Sequence, residues 1–344
     1  MAHGAAPVLF ALASALLFAA ATPASKVLLA ELSAFQLAGL LYLGAALAML
    51  PVIARRPHVR STQLDPANRC RLLGAVAAGG LVAPVLLLAA LRLTPAASVS
   101  LLLNLELAAT AVLGALVFHE PLGRTGWLGA AGIAIAGGVL SGGDWPGLAA
   151  AALVAAACVS WALDNHFTAL IDGITPALSI WWKGLAAGGT NLAIGLALQP
   201  LSAPAGEVVA ALMVGALSYG VSIVLYINAA HRLGAVRAQA VFSSAPFLGA
   251  ALGVALLGEP LPPAMLFAIA VLVPSVALVL RSAHAHLHTH IAVEHVHSHR
   301  HDDGHHDHVH EGLAPSVLHS HRHSHPGLAH AHPHWPDLHH RHEH

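Results

Sequence analysis

Apolar residues run along this chain in stretches of about 20, the length of helix that crosses the hydrocarbon core of a bilayer. Ten such stretches can be read: 7–29, 33–54, 72–92, 97–118, 125–141, 147–169, 175–198, 207–230, 236–257 and 262–281. Turn or charge signals separate them, as at Arg55-Arg56-Pro57, Glu120-Pro121, Gly142-Gly143-Asp144 and Glu259-Pro260. Lipid offers no partner to an open backbone and the stretches are too long for barrel strands, so all ten are expected to be helices. At Arg281-Ser282 the pattern changes. Beyond it His recurs mainly at every second position, which makes no helical face and suits an extended chain. Low hydrophobicity and scattered Pro predict that 283–344 is disordered.

The ten stretches repeat as five and five. Ala89-Ala-Leu-Arg92-Leu, followed by Phe118-His-Glu120-Pro121-Leu122, returns about 140 residues later as Ala229-Ala-His-Arg232-Leu and Leu257-Gly-Glu259-Pro260-Leu261. A second pair is Phe18…Thr22-Pro23 against Trp161…Asn165-His166. Five is odd, so the two halves (1–141 and 147–282) must cross the membrane in opposite senses. Inverted repeats of this kind are a transporter signature, with a site between the halves near the midplane.

Loop charge orients the bundle. Arg55, Arg56, Arg60, Arg69 and Arg71 fall between spans two and three, Arg124 between four and five, and Arg232 and Arg237 between eight and nine. Arg281 ends span ten. The opposite side has only Arg92 and Lys26, the latter expected to snorkel to water. Both termini, and with them the tail, are therefore expected in the cytoplasm of a multi-pass inner (plasma) membrane protein. The N-terminus lacks the basic segment of a secretory signal, so span one is read as uncleaved.

Composition sharpens this picture. Of 344 residues 57% are apolar and 9% charged, with mean hydropathy +0.71, against about 25% charged in soluble domains. A soluble globule could not hide that much apolar surface. The net charge of −1 gives no basic field for nucleic acid. No nucleophile–base set or phosphate loop suggests an enzyme. Cys70 and Cys158 show no zinc spacing and are not expected to pair.

Several motifs now carry a resemblance. They are Thr94-Pro95-Ala96-Ala97 leading to Leu101-Leu-Leu-Asn104-Leu-Glu106, then Trp161-Ala-Leu-Asp164-Asn165, Lys183-Gly184, Ser243-Ser-Ala-Pro246-Phe247-Leu-Gly249, and the paired Glu-Pro-Leu sites. Over about 1–282 the chain resembles the drug/metabolite transporter superfamily, in its ten-helix group with two EamA repeats. The resemblance implies secondary transport of small molecules (amino acids, metabolites, drugs) through a central cavity, often outward. It leaves open the solute, the coupling ion and whether the protein is a homodimer.

A charge at mid-bilayer costs about 2.5–3.5 kcal/mol on insertion scales and needs a reason. Glu106, two residues after Asn104, lies near the middle of span four. Its repeat partner falls at Pro246, read as the middle of a proline-broken span nine beside Ser243 and Ser244. Glu106 is the candidate solute contact or proton carrier, against a plain structural bond to a neighbouring helix. Asp164, Asn165 and His166 lie at a depth similar to Lys183, so Asp164 and Lys183 are expected to pair as an inner gate or a clamp. Trp161, Trp181, Trp182, Tyr219 and Tyr226 either line the cavity or pack the bundle.

The tail is a metal-ligand sequence. His284, His286, His288, His290, His295, His297, His299, His301, His305, His306, His308 and His310 offer imidazoles, with Asp302, Asp303, Asp307 and Glu311 between and after them. Neutral imidazole suits zinc, nickel, cobalt or copper, here in many labile sites. No cofactor is required for transport itself. Three roles compete for the tail: a metal buffer or sensor acting on the membrane part, a feeder that makes a divalent metal the substrate, and a pH-responsive solvated chain. A membrane-anchored metal sensor that transports nothing is the remaining alternative. The spans argue against metal as substrate, since they contain only His166 and one mid-bilayer carboxylate.

Overall fold

The structure, a computed structural model, describes residues 5–55, 66–117, 122–142, 145–171, 174–233 and 241–281 of the membrane part, and 285–289, 293–299, 319–325 and 329–333 of the tail. Among the described residues of the membrane part the main helices fall into ten spans. They are α1 (Ala5–Ala19, then Ala21–Leu28), α2 (Ala34–Ala54), α3 (Pro66–Ala75, Val76–Val82, Ala83–Leu93), α4 (Ala96–Leu102, then Leu105–Val117) and α5 (Arg124–Leu140). Then follow α6 (Trp145–Ala169), α7 (Pro176–Leu198), α8 (Ala205–Val214, Gly215–Val221, Ser222–Leu233), α9 (Ala245–Leu257) and α10 (Pro263–Arg281).

Among the described residues, seven spans are long and apolar enough to cross a bilayer unaided. The other three are α5 and α9, of 17 and 13 residues, and α7, whose Lys183, Asn191 and four glycines lower its hydropathy. One boundary differs from expectation. Helix α3 begins at Pro66, so Arg69 and Arg71 are helical rather than in a loop, and Arg71 Nη1 donates to the Leu170 carbonyl at 2.8 Å near the end of α6. Span nine is helical at Val241-Phe242, turns at Ser243-Ser244 and resumes as α9 at Ala245, while 234–240 lie outside the described residues.

Much of the packing is preserved when the halves are exchanged. Helices α2 and α7, α4 and α9, and α5 and α10 pair with their own repeat partners. Helix α1 on α8 is mirrored by α6 on α3, and α1 on α9 by α6 on α4. The α2–α7 seam shows the direction. Gly195 lies against Gln36, Gly39 against Leu192, Gly188 against Leu43 and Gly184 against Tyr42 and Ala46, so the numbers rise on one helix as they fall on the other. Repeat partners that run antiparallel require inverted halves. The seam is close because these positions lack a Cβ. Small residues allow such approach where lipid gives no hydrophobic drive between helices.

Two further features obey the repeat. Helices α3 and α8 each carry a wide π-helical turn, Val76–Val82 and Gly215–Val221, 139 residues apart. Such turns release carbonyls from the regular ladder. In α3 they are taken up by side chains: Gly79 O accepts from Tyr42 Oη and from Trp161 Nε1 (3.1 Å), and Gly80 O from Asn191 Nδ2 (3.1 Å). In α8 the side chains donate instead, Ser218 Oγ to Leu17 O at 2.7 Å and, one residue past the turn, Ser222 Oγ to Ser14 O at 2.9 Å.

The described tail residues form four short strands, β1 (Ala285–Thr289), β2 (Val293–His299), β3 (His319–His325) and β4 (Ala329–Pro333). β1 pairs antiparallel with β4 and β2 with β3. A two-residue alternation is a strand's own period. His286 and His288 fall on β1, and His295, His297 and His299 on β2. His284, His290, His301, His305, His306, His308 and His310 lie outside the described residues.

A Cβ at Gly188 would sit 2.8 Å from the Leu43 backbone nitrogen, whereas one at neighbouring Gly189 would meet nothing within 4 Å. Gly188→Ala is therefore expected to destabilise the protein by about 1–3 kcal/mol. Gly189→Ala is expected to be neutral or to stabilise by up to about 1 kcal/mol, the helix-propensity difference. Thermal unfolding of the two variants in detergent checks the opposite signs.

Candidate functional site

Helix α4 breaks at Leu103-Asn104, and α9 starts after a turn at Ser243-Ser244, the matching place in the second half. Asn104 is buried, its Nδ2 donating to Leu101 O at 2.8 Å, and Ser244 Oγ donates to Val241 O at 2.7 Å. Each polar side chain thus satisfies backbone that the break exposes. Span nine is broken where the sequence places the break: Val241 and Phe242 are helical, Ser243-Ser244 turn, and Pro246 lies in the first turn of the helix that follows, where its missing N–H costs nothing. Glu106 occupies the same place in its own half, the first turn after the break, where the positive end of a helix dipole favours a carboxylate.

Glu106 binds across the repeat. Asn165 Nδ2, from α6, donates to its Oε1 at 2.9 Å. Beside them Lys183 Nζ of α7 reaches both oxygens of Asp164, at 2.6 and 2.7 Å, and Thr168 Oγ1 donates to Asp164 Oδ1 at 3.0 Å. The expected pair therefore forms, nearly out of water, with side chains 9% and 15% exposed for Asp164 and Lys183. Asp164 packs directly on Gly79, leaving no room there for a Cβ. The His166 ring meets Thr110 O at 3.2 Å through Nε2. Trp161 is buried and tied to the Gly79 carbonyl. Glu106, Trp161, Asp164, Asn165 and Lys183 thus converge where α3, α4, α6 and α7 meet.

Tyr219 is buried in a ladder of rings. Its centroid lies 5.6 Å from Tyr42 and 5.9 Å from Phe18. Phe18 is 5.3 Å from Phe242, which is 5.1 Å from Tyr226. Trp181 and Trp182 pair with each other on α7 at 4.8 Å, with Trp182 exposed. Pro246 lines a small cavity between α1, α4 and α9 with Phe18, Thr22, Ser100 and Leu103. Ser243 and Ser244 are half-buried just before it.

One end of the bundle is held by charged side chains on helix termini. Glu259, presented by Gly258 in the left-handed conformation (φ 66°), accepts from Ala96 N and Ala97 N at 2.7 Å each. A carboxylate from the second half thereby caps the first turn of α4. Lys26 Nζ donates to Leu91 O and, at 3.0 Å, to Thr94 O, while Arg92 Nη2 donates to Leu32 O at 2.9 Å. Lys26 does not snorkel to water as expected: helix-end carbonyls in reach hold it half-buried. Sequence reading missed Tyr42, Gly79, Asn191 and the capping role of Glu259. For Glu259 the signal was present in the repeated Glu-Pro-Leu; for the others nothing marked one apolar-run residue from the next.

Removing one partner of a buried ion pair strands the other charge, at about 3–5 kcal/mol. Asp164→Asn and Lys183→Met are each expected to lower stability in that range. The double variant should recover most of the loss, as a thermal double-mutant cycle in detergent will show.

No curated protein matches the chain significantly. A solved structure described as "Crystal structure of protein" superposes with a TM-score of 0.60 at 18% identity, covering 79% of this chain and 94% of the other. That likeness is one of fold. The model of the EamA-like transporter family matches residues 5–142 and again 148–281, two copies that coincide with the two inverted halves. The chain is a multi-pass membrane protein of the EamA-like transporter family, whose members carry small solutes.

Proposed function

We propose that this protein is a secondary active transporter that exports a small organic solute across the inner membrane by alternating access, with both termini in the cytoplasm. The observation that carries the reading is the Glu106–Asn165 bond. It joins the two inverted repeats beside the break in α4 (Leu103-Asn104) that the turn before α9 (Ser243-Ser244) matches. A site on the seam between rocking halves changes its exposure as they move. Irregular backbone at membrane depth is tolerated where it lines a cavity or is buried in protein. Glu106 exchanges a proton against solute. Asn104, Ser243, Ser244 and Pro246 shape the breaks, Trp161 and Tyr219 bound the cavity, and Asp164–Lys183 holds α6 to α7 beside it.

In proteoliposomes, a solute transported by the native chain is expected to accumulate when a pH gradient is imposed. Glu106→Gln fixes the side chain neutral and should abolish that accumulation while leaving downhill exchange measurable. Accumulation unchanged in Glu106→Gln would remove the coupling role.

The tail is read as a cytoplasmic metal-responsive element for zinc, nickel, cobalt or copper. The ladder register supports it by setting His295 opposite His323, His297 opposite His321 and His299 opposite His319. Directly opposed residues lie on one face of an antiparallel pair. Calorimetric titration of the full-length protein with zinc is expected to show several weak sites that disappear in a chain ended at Arg281. Transport should persist in the shortened chain but lose its response to zinc.

A further inference from the structure

We propose that the small cavity between α1, α4 and α9 is a water site, in which a single ordered water bridges the Ser100 hydroxyl, the Ala19 carbonyl and the Thr22 hydroxyl. The water stands in the second copy of the place where the first copy has the Glu106–Asn165 bond.

The repeat locates the site. Phe18 and Thr22 of α1 are the repeat partners of Trp161 and Asn165 of α6, and Pro246 of α9 is the partner of Glu106 of α4. The contact of α1 with α9 mirrors that of α6 with α4. In one copy Asn165 reaches Glu106 at 2.9 Å. In the other, Phe18, Thr22 and Pro246 line a cavity of about 10 Å³ together with Ser100, Leu103 and Gly249. Threonine is shorter than asparagine, and proline offers neither the length nor a polar side-chain atom to meet it. No side-chain bond can close this gap, and the space follows from those two differences.

Oxygen atoms supply the polar part of the lining. Ser100 is 1% exposed, and its hydroxyl has no hydrogen-bond partner among the described residues. Ala19 is followed four residues later by Pro23, which has no N–H to give its carbonyl. A Cβ at Gly249 would lie 2.9 Å from Ser100 Oγ and 3.1 Å from Ala19 O, so both oxygens look into the space that this glycine leaves. Thr22, also buried, adds its hydroxyl to the same lining.

Volume and partners select the occupant. The cavity admits one water-sized particle, and a buried water takes about three polar partners, whereas apolar cavities stay dry. A buried hydroxyl left without a partner costs its whole desolvation. The lining residues include no acidic side chain, so a cation there would be an uncompensated charge at membrane depth. The two symmetric places then differ in kind. One holds a titratable carboxylate, the other a neutral bridge that no change of pH alters.

The test uses the full-length protein in detergent. A structure at a resolution that shows solvent is expected to place one oxygen within hydrogen-bond distance of Ser100 Oγ. Hydroxyl-radical labelling by X-ray pulses, which marks side chains beside bound water, is expected to modify Phe18. Gly249→Ala puts a methyl group into the cavity and should abolish both signals. Loosening of the fold would raise Phe18 labelling, so its loss is not a folding defect. Ser100→Ala keeps the space, removes one partner and should lower the labelling in part. Replacing sodium by N-methylglucamine should leave the labelling and the melting temperature unchanged. A native cavity without a solvent oxygen, with Phe18 labelled no more than in Ser100→Ala or Gly249→Ala, is dry and overturns the proposal. Sodium-dependent stabilisation that Gly249→Ala loses makes the occupant a cation and overturns the water assignment.

Discussion

A peptide carbonyl released from its helix inside lipid must find a donor within the protein, and this bundle is organised around where those donors come from. The π-helical turns of α3 and α8 and the break in α4 leave backbone groups open at membrane depth. Trp161 and Asn191 of the second half reach the carbonyls of Gly79 and Gly80 in the first. Ser218 and Ser222 of the second half reach Leu17 and Ser14. The α3 turn thus draws donors from both halves, whereas the breaks at Asn104 and Ser244 are closed by their own side chains. The seam that results is polar, and that is where the ionisable side chains gather.

The same seam is closed by glycine. Gly39, Gly184, Gly188 and Gly195 bring α2 and α7 into backbone contact, and Gly44 and Gly215 do so for α2 and α8. Close packing of this kind brings the two halves together at small residues rather than at interlocked side chains. Glu259 on the first turn of α4 joins the two halves at one end of the bundle. The reciprocal Lys26 and Arg92 caps lie within the first half, and Asp164–Lys183 lies within the second.

Much of the site was legible because lipid makes polarity expensive. A charge in an apolar run is conspicuous, so Glu106, Asp164 and Lys183 could be picked out, and antiparallel neighbours at similar depth made the Asp164–Lys183 pair expected. Pro246 was legible for a related reason: a proline in a long apolar stretch marks a break, and the turn at Ser243-Ser244 stands directly before the helix that the proline opens. Tyr42 and Gly79 gave no sign, since their importance comes from one hydroxyl and one carbonyl meeting across helices far apart in the chain.

Hydropathy, loop punctuation and the 140-residue echo determined the helical class, the number of spans and the inverted halves, because each follows from lipid's demand for closed backbone and from the parity of five. Which polar groups share a space was decided only by folding. Glu106 and Asn165 are 59 residues apart, and Ala96 and Glu259 are 163. Nothing local in either segment specifies its partner; the antiparallel packing of the two repeats does.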